Sequence, residues 1–303
     1  MISSVKVTNQ LAESVTIELR FPEKSGFLVQ AIDGLGPAKA TINTTKALST
    51  DGSTYNSSRV ESRNIVFKLS FLPNPTIETT RQQAYKYFPI KQEVMLEFTT
   101  ENRVCYTLGY VESNEPDIFT NDSGTVISLV CPDPYLYGID LTNTIFSGVQ
   151  AQFGFPLSNE SLVLPMIKLG DLENKNENTL FYSGDAATGV RIYMHAVGPA
   201  RNVVIYNMDT HEFMRIMHTP LVTLLGSGIS TGDDIVICTI KGKKSVFLQR
   251  TGVLYNILGA LDRFTNWFQL TKGDNRFGYT TDQTYPDSNL QFRIENQTLY
   301  EGV

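Results

Sequence analysis

The chain has 303 residues, enough for two domains that each bury a core. Hydrophobic residues make up 41% and charged residues 18%, the balance of a globular protein and not of a disordered or fibrous one. A formal net charge of −6 argues against a surface built for nucleic-acid phosphates, and no apolar run is long enough to span a bilayer.

The chain opens on MISSVKVTNQ, which has neither the basic nor the apolar region of a signal peptide. Val5 and Val7, then Val15, Ile17 and Leu19, alternate as a first pair of strands. Phe27 to Ile32 is a third, closed by Gly34 and Gly36-Pro37. Residues 38–47 form a Thr-rich run with strand character, and 49–58 (STDGSTYNSS) lack large aliphatic side chains. That stretch reads equally as a flexible loop or as an ordered arm reaching a neighbouring subunit.

From Ile65 to Phe71 every second residue is strongly apolar, which predicts a strand with one buried face. Asn74-Pro75 then reads as a helix cap followed by proline in the first turn. Ile77, Ala84, Tyr85 and Phe88 are expected on the buried face of that helix, and Pro89 ends it. Alternation returns in Val94 to Thr99, Arg103 to Val111 and Thr125 to Cys131, the last preceded by a turn at Asn121 to Gly124.

The run CPDPYLYG breaks the pattern, and a boundary is placed there: residues 1–136 as one domain, 137–303 as the second. In the second half IFSGVQAQFGF and SLVLPMIKL have strand character, whereas GDLENKNENT reads as a polar loop. GVRIYMHAVG follows, then two strands joined at Asp209-Thr210, and then a hairpin turning at Lys241-Gly242. Asn256 to Asp262 reads as a short helical turn, and WFQLTKGDNRFGYTT and NLQFRIENQTLY end the set. Many short strands with regular turns predict a mainly β protein whose second domain is a β-sandwich or jelly roll.

Little of the sequence carries chemistry. Asp209, His211, Glu212 and His218 are the strongest candidate metal ligands. On a strand, however, His211 and His218 are an odd number apart and face opposite sides. They are read as parts of a turn and a strand, and His195 as a hydrogen-bonded histidine without catalytic duty. No nucleophile elbow, phosphate-binding loop or dinucleotide fingerprint is present. The expectation is no active site, no metal and no cofactor. Cys105, Cys131 and Cys238 are few, odd in number and set in strand patterns, so they are read as buried free thiols. Lys241, Lys243 and Lys244 form a solvated hairpin tip. Trp267, with Tyr279 and Tyr285 near it in sequence, is either a core residue or a sugar-stacking platform.

The runs YNSSRVESRNIVFKLSFLPNP, TRQQAYKYFPIKQ, YVESNEPDIF and CPDPY resemble the first half of siphophage-type distal tail proteins. GDDIVICTIKGKKSVFL and WFQLTKGDN resemble that family's second domain, and the likeness is weakest over residues 150–190. The resemblance implies an N-terminal split β-barrel like a tail-tube subunit, with one helix and a long hairpin, and a C-terminal galectin-like β-sandwich. The galectin sugar signature is not seen in it. It implies a structural virion protein of the phage tail tip, made in the host bacterial cytoplasm. Six copies would form a hub joining the tail tube to the baseplate. Its expected partners are copies of itself, the tail tube protein, a hub or tip protein and a receptor-binding protein. DNA would pass through the ring without specific binding, and an acidic lumen would repel it. No membrane insertion is implied.

Arg59 and Arg63 lie in the matching stretch and are the candidate oligomer-interface residues, pairing with an acidic neighbour. A reading from another class is a carbohydrate-binding module that docks on cell-wall glycan, with Trp267 as its platform. A wall hydrolase ranks below both, because no carboxylate pair is singled out.

Overall fold

The computed structural model describes residues 1–46, 51–119, 123–151, 170–174, 177–282 and 289–303. They form two compact units, Met1–Ile139 together with Leu299–Val303, and Asp140–Thr298. Both are mainly β, as the alternating patterns predict. The strand character at 161–169, turn residues 121–122 and Tyr285 lie outside the described residues.

The first unit begins with the antiparallel pair β1 (Ile2–Thr8) and β2 (Ser14–Glu18), then β3 (Phe27–Asp33). A separate hairpin, β4 (Ala40–Thr45) and β5 (Thr54–Val60), precedes β6 (Arg63–Phe71). Helix α1 (Ile77–Tyr87) leads to β7 (Glu93–Thr100), β8 (Val104–Pro116), β9 (Gly124–Cys131) and β10 (Leu136–Ile145). The ladder runs β2-β1-β7-β8-β9-β6-β3. Strand β8 serves three partners because it is long: Val104–Tyr110 pair with β7, Cys105 and Tyr106 also with β10, and Tyr110–Pro116 with β9. Among the described residues no ladder joins β2 to β3, so this barrel is split and not closed.

Its core follows from period-two alternation. Ile65, Phe67, Leu69 and Phe71 of β6 are buried, as are Val94, Leu96 and Phe98 of β7 and Ile127, Leu129 and Cys131 of β9. Helix α1 closes over them, with the Phe88 ring 5.8 Å from that of Phe67. Two details of the helix differ from the sequence reading. Its cap is Thr76, whose hydroxyl accepts from the Thr79 amide at 3.2 Å. Asn74 lies two residues before that cap, and its side-chain amide donates to the Lys24 carbonyl at 3.2 Å. The buried stripe is Thr80, Ala84 and Phe88, while Ile77 and Tyr85 are exposed. Spacing of four keeps that stripe on one face, and Thr80 tolerates burial because its hydroxyl donates to the Leu72 carbonyl at 2.8 Å.

The second unit is a β-sandwich. A short hairpin of β11 (Ser147–Ala151) and β12 (Gly170–Asn174) precedes β13 (Glu177–Tyr182). Then come β14 (Val190–Ala196), β15 (Val203–Asn207), β16 (Glu212–Ile216), helix α2 (His218–Leu225) and β17 (Asp234–Cys238). The hairpin continues as β18 (Ser245–Arg250) and β19 (Val253–Asn256), and β20 (Gly273–Thr280) and β21 (Leu290–Tyr300) finish the chain. One sheet is ordered β19-β18-β17-β14-β21-β10, the other β13-β20-β15-β16. Their facing sides make one apolar core with Phe268 packed edge-on against Phe277 and Tyr279 stacked on Phe292.

Residues 170–179, read as a polar loop, supply β12 and the start of β13, paired to β11 and β20. Cross-strand partners far away in sequence make these strands, so their polar composition did not show them. Helix α2 was also not anticipated; its cap residue Met217 makes no side-chain hydrogen bond, so no capping signal marks it.

Candidate assembly arm and its anchor

Among the described residues strands β4 and β5 pair only with each other. Every residue of both is exposed except the half-buried Thr41. The register puts Ala40 opposite Val60, Thr41 opposite Arg59, Ile42 opposite Ser58 and Asn43 opposite Ser57. Side chains alternate across such a ribbon, so its two faces differ. One carries Thr41, Asn43, Ser57, Arg59 and Glu61. There the Glu61 carboxylate accepts from Thr41 at 2.6 Å and from Arg59 Nε at 3.1 Å. These contacts hold its pKa below the ordinary carboxylate value, the Thr41 hydrogen bond being the larger cause.

The other face carries Ala40, Ile42, Ser58 and Val60. A bulge after Asn43 brings Tyr55 to the same side, where its hydroxyl lies 2.8 Å from Ser58 Oγ. Ile42 is 63% exposed and Tyr55 61%. An isolated two-stranded ribbon is at best marginally stable in water. This one has an apolar face that no described residue of its own unit covers. Of the two readings left by the sequence, the paired strands are those of an ordered arm.

The base of the arm is fixed. The Glu61 amide donates to the Lys39 carbonyl at 2.9 Å, closing the ribbon. Two residues later, Arg63 turns inward and is 3% exposed. Its Nη1 donates to the carbonyls of Gly34 (2.8 Å) and Gly36 (2.7 Å), its Nε to Pro134 (2.8 Å) and its Nη2 to Glu301 (2.6 Å). Gly34 has φ +86°, and a Cβ there would meet the Asn64 carbonyl oxygen at 2.0 Å, so only glycine fits. Burial pulls the Arg63 guanidinium below its ordinary pKa, and the four carbonyls compensate its lost hydration.

This corrects one sequence assignment. Arg63 is not an exposed interface cation; it ties the approach and exit of the arm to the barrel. Arg59 is on the surface of the arm, but its partner is Glu61 of the same ribbon. The apolar positions Ile42, Tyr55 and Val60 were not singled out by the sequence, because a bulge and a face assignment are needed to group them.

The remaining candidates are placed as follows. The Trp267 indole packs partly on the sandwich core, and Lys244 Nζ lies 5.2 Å over its ring, so that face is occupied. Asp209 pairs with Arg276, accepting from its amide at 2.6 Å and its guanidinium at 2.9 Å. The Arg276 amide is the main cause of its lowered pKa. His211 is in the β15–β16 turn at φ +57°, and His218 opens α2. Among the described residues no group of three or more His, Cys, Asp or Glu side chains gathers as metal ligands. His195 Nδ1 is 2.7 Å from Asp234. Cys105, Cys131 and Cys238 are all buried free thiols, and burial pushes Cys105 up to about 11. No described helix is long and apolar enough to cross a membrane.

Neither protein-family models nor curated proteins give a match to the sequence. Solved structures do. The crystal structure of the SPP1 Dit (gp 19.1) protein, presented as a paradigm of the hub adsorption apparatus of phages infecting Gram-positive bacteria, matches with a TM-score of 0.65. That match is 13% identical and covers 97% of this chain and 98% of that one. Two structures of the phage p2 baseplate in its activated conformation, with Sr and with Ca, match with TM-scores of 0.45 and 0.46 at 10% and 11% identity. They cover 97% and 98% of this chain. The fold correspondence rests on the first of these: this chain has the fold of the SPP1 Dit protein.

Proposed function

We propose that this protein is a structural component of a phage tail tip, in which six copies close into a hub between the tail tube and the baseplate. The observation that carries the reading is the end-to-end fold correspondence with the SPP1 Dit protein, described as a hub protein. The arm gives the reading a physical route. A closed ring needs two different complementary surfaces per subunit, and an apolar ribbon that is uncovered in its own unit is one half of such a contact.

In this role the protein sits in the virion at the tail tip and is made in the host cytoplasm. Its partners are copies of itself, the tail tube protein, a hub or tip protein and a receptor-binding protein. DNA passes through the ring, and the net charge of −6 favours a lumen that repels it. The role is structural and not enzymatic, in keeping with the likeness to a protein described as a hub. Negative-stain images of the purified full chain are expected to show six-fold rings. Replacing residues 41–59 by an Asn-Gly turn retains the Lys39–Glu61 closure and Arg63, and is expected to leave a folded monomer. A wild-type protein that stays monomeric at all concentrations overturns the reading.

A further inference from the structure

Strand β19 (Val253–Asn256) is an edge of the second unit's larger sheet, and among the described residues it pairs only with β18. Just past its end the Ile257 amide donates to the Val246 carbonyl of β18 at 3.0 Å. Backbone groups alternate in direction along a strand, so those of Val253 and Tyr255 also face β18. The amides and carbonyls of Leu254 and Asn256 point outward, where no described residue bonds to them.

The smaller sheet protects its edges. Amides of Asp262 and Asn266 cover β16, donating to the Arg215 and Phe213 carbonyls at 2.9 and 2.8 Å. Edge β13 opens on Glu177, and the side-chain amide of Asn178 donates to the Ile145 carbonyl at 2.9 Å. Covers and charges of this kind are how sheets avoid pairing with other chains. Strand β19 has neither: residues 251–261 carry no charged side chain. Val253, Leu254 and Tyr255 are all exposed, Leu254 most at 59%.

We propose that β19 pairs with β19 of a second copy of this chain, antiparallel, about a two-fold axis at Tyr255. The outward groups require a strand as occupant, and the missing charges favour a copy. A two-fold axis sets each side chain near its own counterpart, so a charged edge repels itself and a neutral one does not. In this register Leu254 lies opposite Asn256 of the copy, and the two exchange their outward amide and carbonyl bonds. The Tyr255 side chains meet across the axis as a closely spaced aromatic pair. Gly252 comes opposite the exposed Leu258 of the copy, and open space surrounds it: a Cβ there would meet nothing within 4 Å. The contact is isologous, so it is separate from the heterologous contacts that close a ring. It is also small, and two single chains pair through it only at about 100 µM or above.

Directed cross-linking of the full chain tests the proposal. The chain is oxidised at about 300 µM with diamide, which takes up the two hydrogen atoms released as two thiols become a disulfide. Tyr255→Cys places two thiols across the axis, where Cα atoms about 4.5 Å apart suit a disulfide. Val253→Cys places them more than about 10 Å apart, beyond its reach. Covalent dimer is read on denaturing gels without reductant. It is expected to be at least tenfold more abundant for Tyr255→Cys than for Val253→Cys or for the parent chain, whose three thiols are buried. Adding Leu254→Pro removes the outward amide without breaking a bond to β18, and is expected to abolish the dimer at an unchanged thermal midpoint. Should it lower that midpoint, Leu254→Lys is read in its place. Like charges across the axis are then expected to reduce the dimer severalfold at low salt and less at high salt. Equal yields from the two cysteine variants, or a yield unmoved by the Leu254 variant, overturns the proposal. Since the dimer is counted after denaturation, loss of rings and loss of this contact are separate failures.

Discussion

Arg63 Nη2 donates to the backbone carbonyl of Glu301 at 2.6 Å, across a separation of 238 positions. One side chain thereby joins the stretch just after the arm to the last residues of the chain. The same guanidinium holds the carbonyls of Gly34, Gly36 and Pro134, so four carbonyls from three backbone segments depend on its geometry.

Arg63→Ala is expected to destabilise the protein by roughly 3–5 kcal/mol, because buried carbonyls lose charged donors. Arg63→Lys is expected to recover little, since an ammonium cannot reproduce a planar fork aimed at four acceptors. Arg59→Ala, on the exposed arm, should cost less than about 1 kcal/mol. Urea midpoints of the three variants check this ordering. Equal effects of Arg63→Ala and Arg59→Ala would remove the anchor role.

A second expectation concerns the limits of the first domain. Residues 1–136 lack Leu299–Val303, where Tyr300 and Val303 pack on the barrel core and the Val303 amide donates to Leu35 at 3.1 Å. A chain of 1–139 joined by a Gly-Ser linker to 299–303 should therefore be more stable than 1–136, by about 3 kcal/mol. Equal urea midpoints would show that the returning segment contributes nothing.

The helix gives a test of its buried stripe. Phe88→Ala should cost roughly 3–5 kcal/mol, because the ring fills space against Phe67. Ala84→Glu should be far more damaging than Gln82→Glu, and Ile77→Ser nearly neutral. A large cost at Ile77 would restore the face expected from sequence.

These residues also show how much the sequence could tell. Alternation identified β6, β7 and β9 and predicted their buried sides, since period two survives whatever the partners are. Helix periodicity found α1 but grouped Ile77 and Tyr85 with the core, because which edge of an amphipathic stripe is covered depends on the sheet beneath. The return of residues 299–303 and the inward turn of Arg63 have no local signal. Both follow from contacts between segments far apart in the chain.

Cys105 predicts a pH dependence. Burial raises its folded pKa to about 11, from an unfolded value of about 8.5. Above the unfolded value the unfolded chain loses this proton while the folded chain retains it. Stability from this group is therefore complete below about pH 8.5 and falls until about pH 11. The loss is on the order of 3 kcal/mol. Cys105→Ala should flatten the decline measured by urea midpoints between pH 8.5 and 10.5. An unchanged slope would show that the thiol is not desolvated as the structure has it. Thiol counting should find three slow-reacting groups in the native protein and three fast ones after unfolding.

The arm gives the last expectation, because the assembly reading depends on which of its faces meets a neighbour. The polar face satisfies itself: Glu61 accepts from Thr41 and Arg59 within the ribbon. The apolar face does not, with Ile42 and Tyr55 exposed and Val60 beside them. Burying such a face between subunits gains about 25 cal/mol per Å² of apolar surface, whereas an exposed ion pair contributes about 1 kcal/mol or less. Ile42→Asp and Tyr55→Asp are thus expected to abolish rings while leaving the thermal midpoint of the monomer unchanged. Neither side chain is part of the barrel core. Arg59→Glu should weaken assembly only modestly, and more at low salt than at high salt, since screening removes the repulsion it introduces. Light scattering and electron microscopy at two ionic strengths separate the cases. Rings that survive Ile42→Asp but are lost in Arg59→Glu would reverse the assignment of the faces.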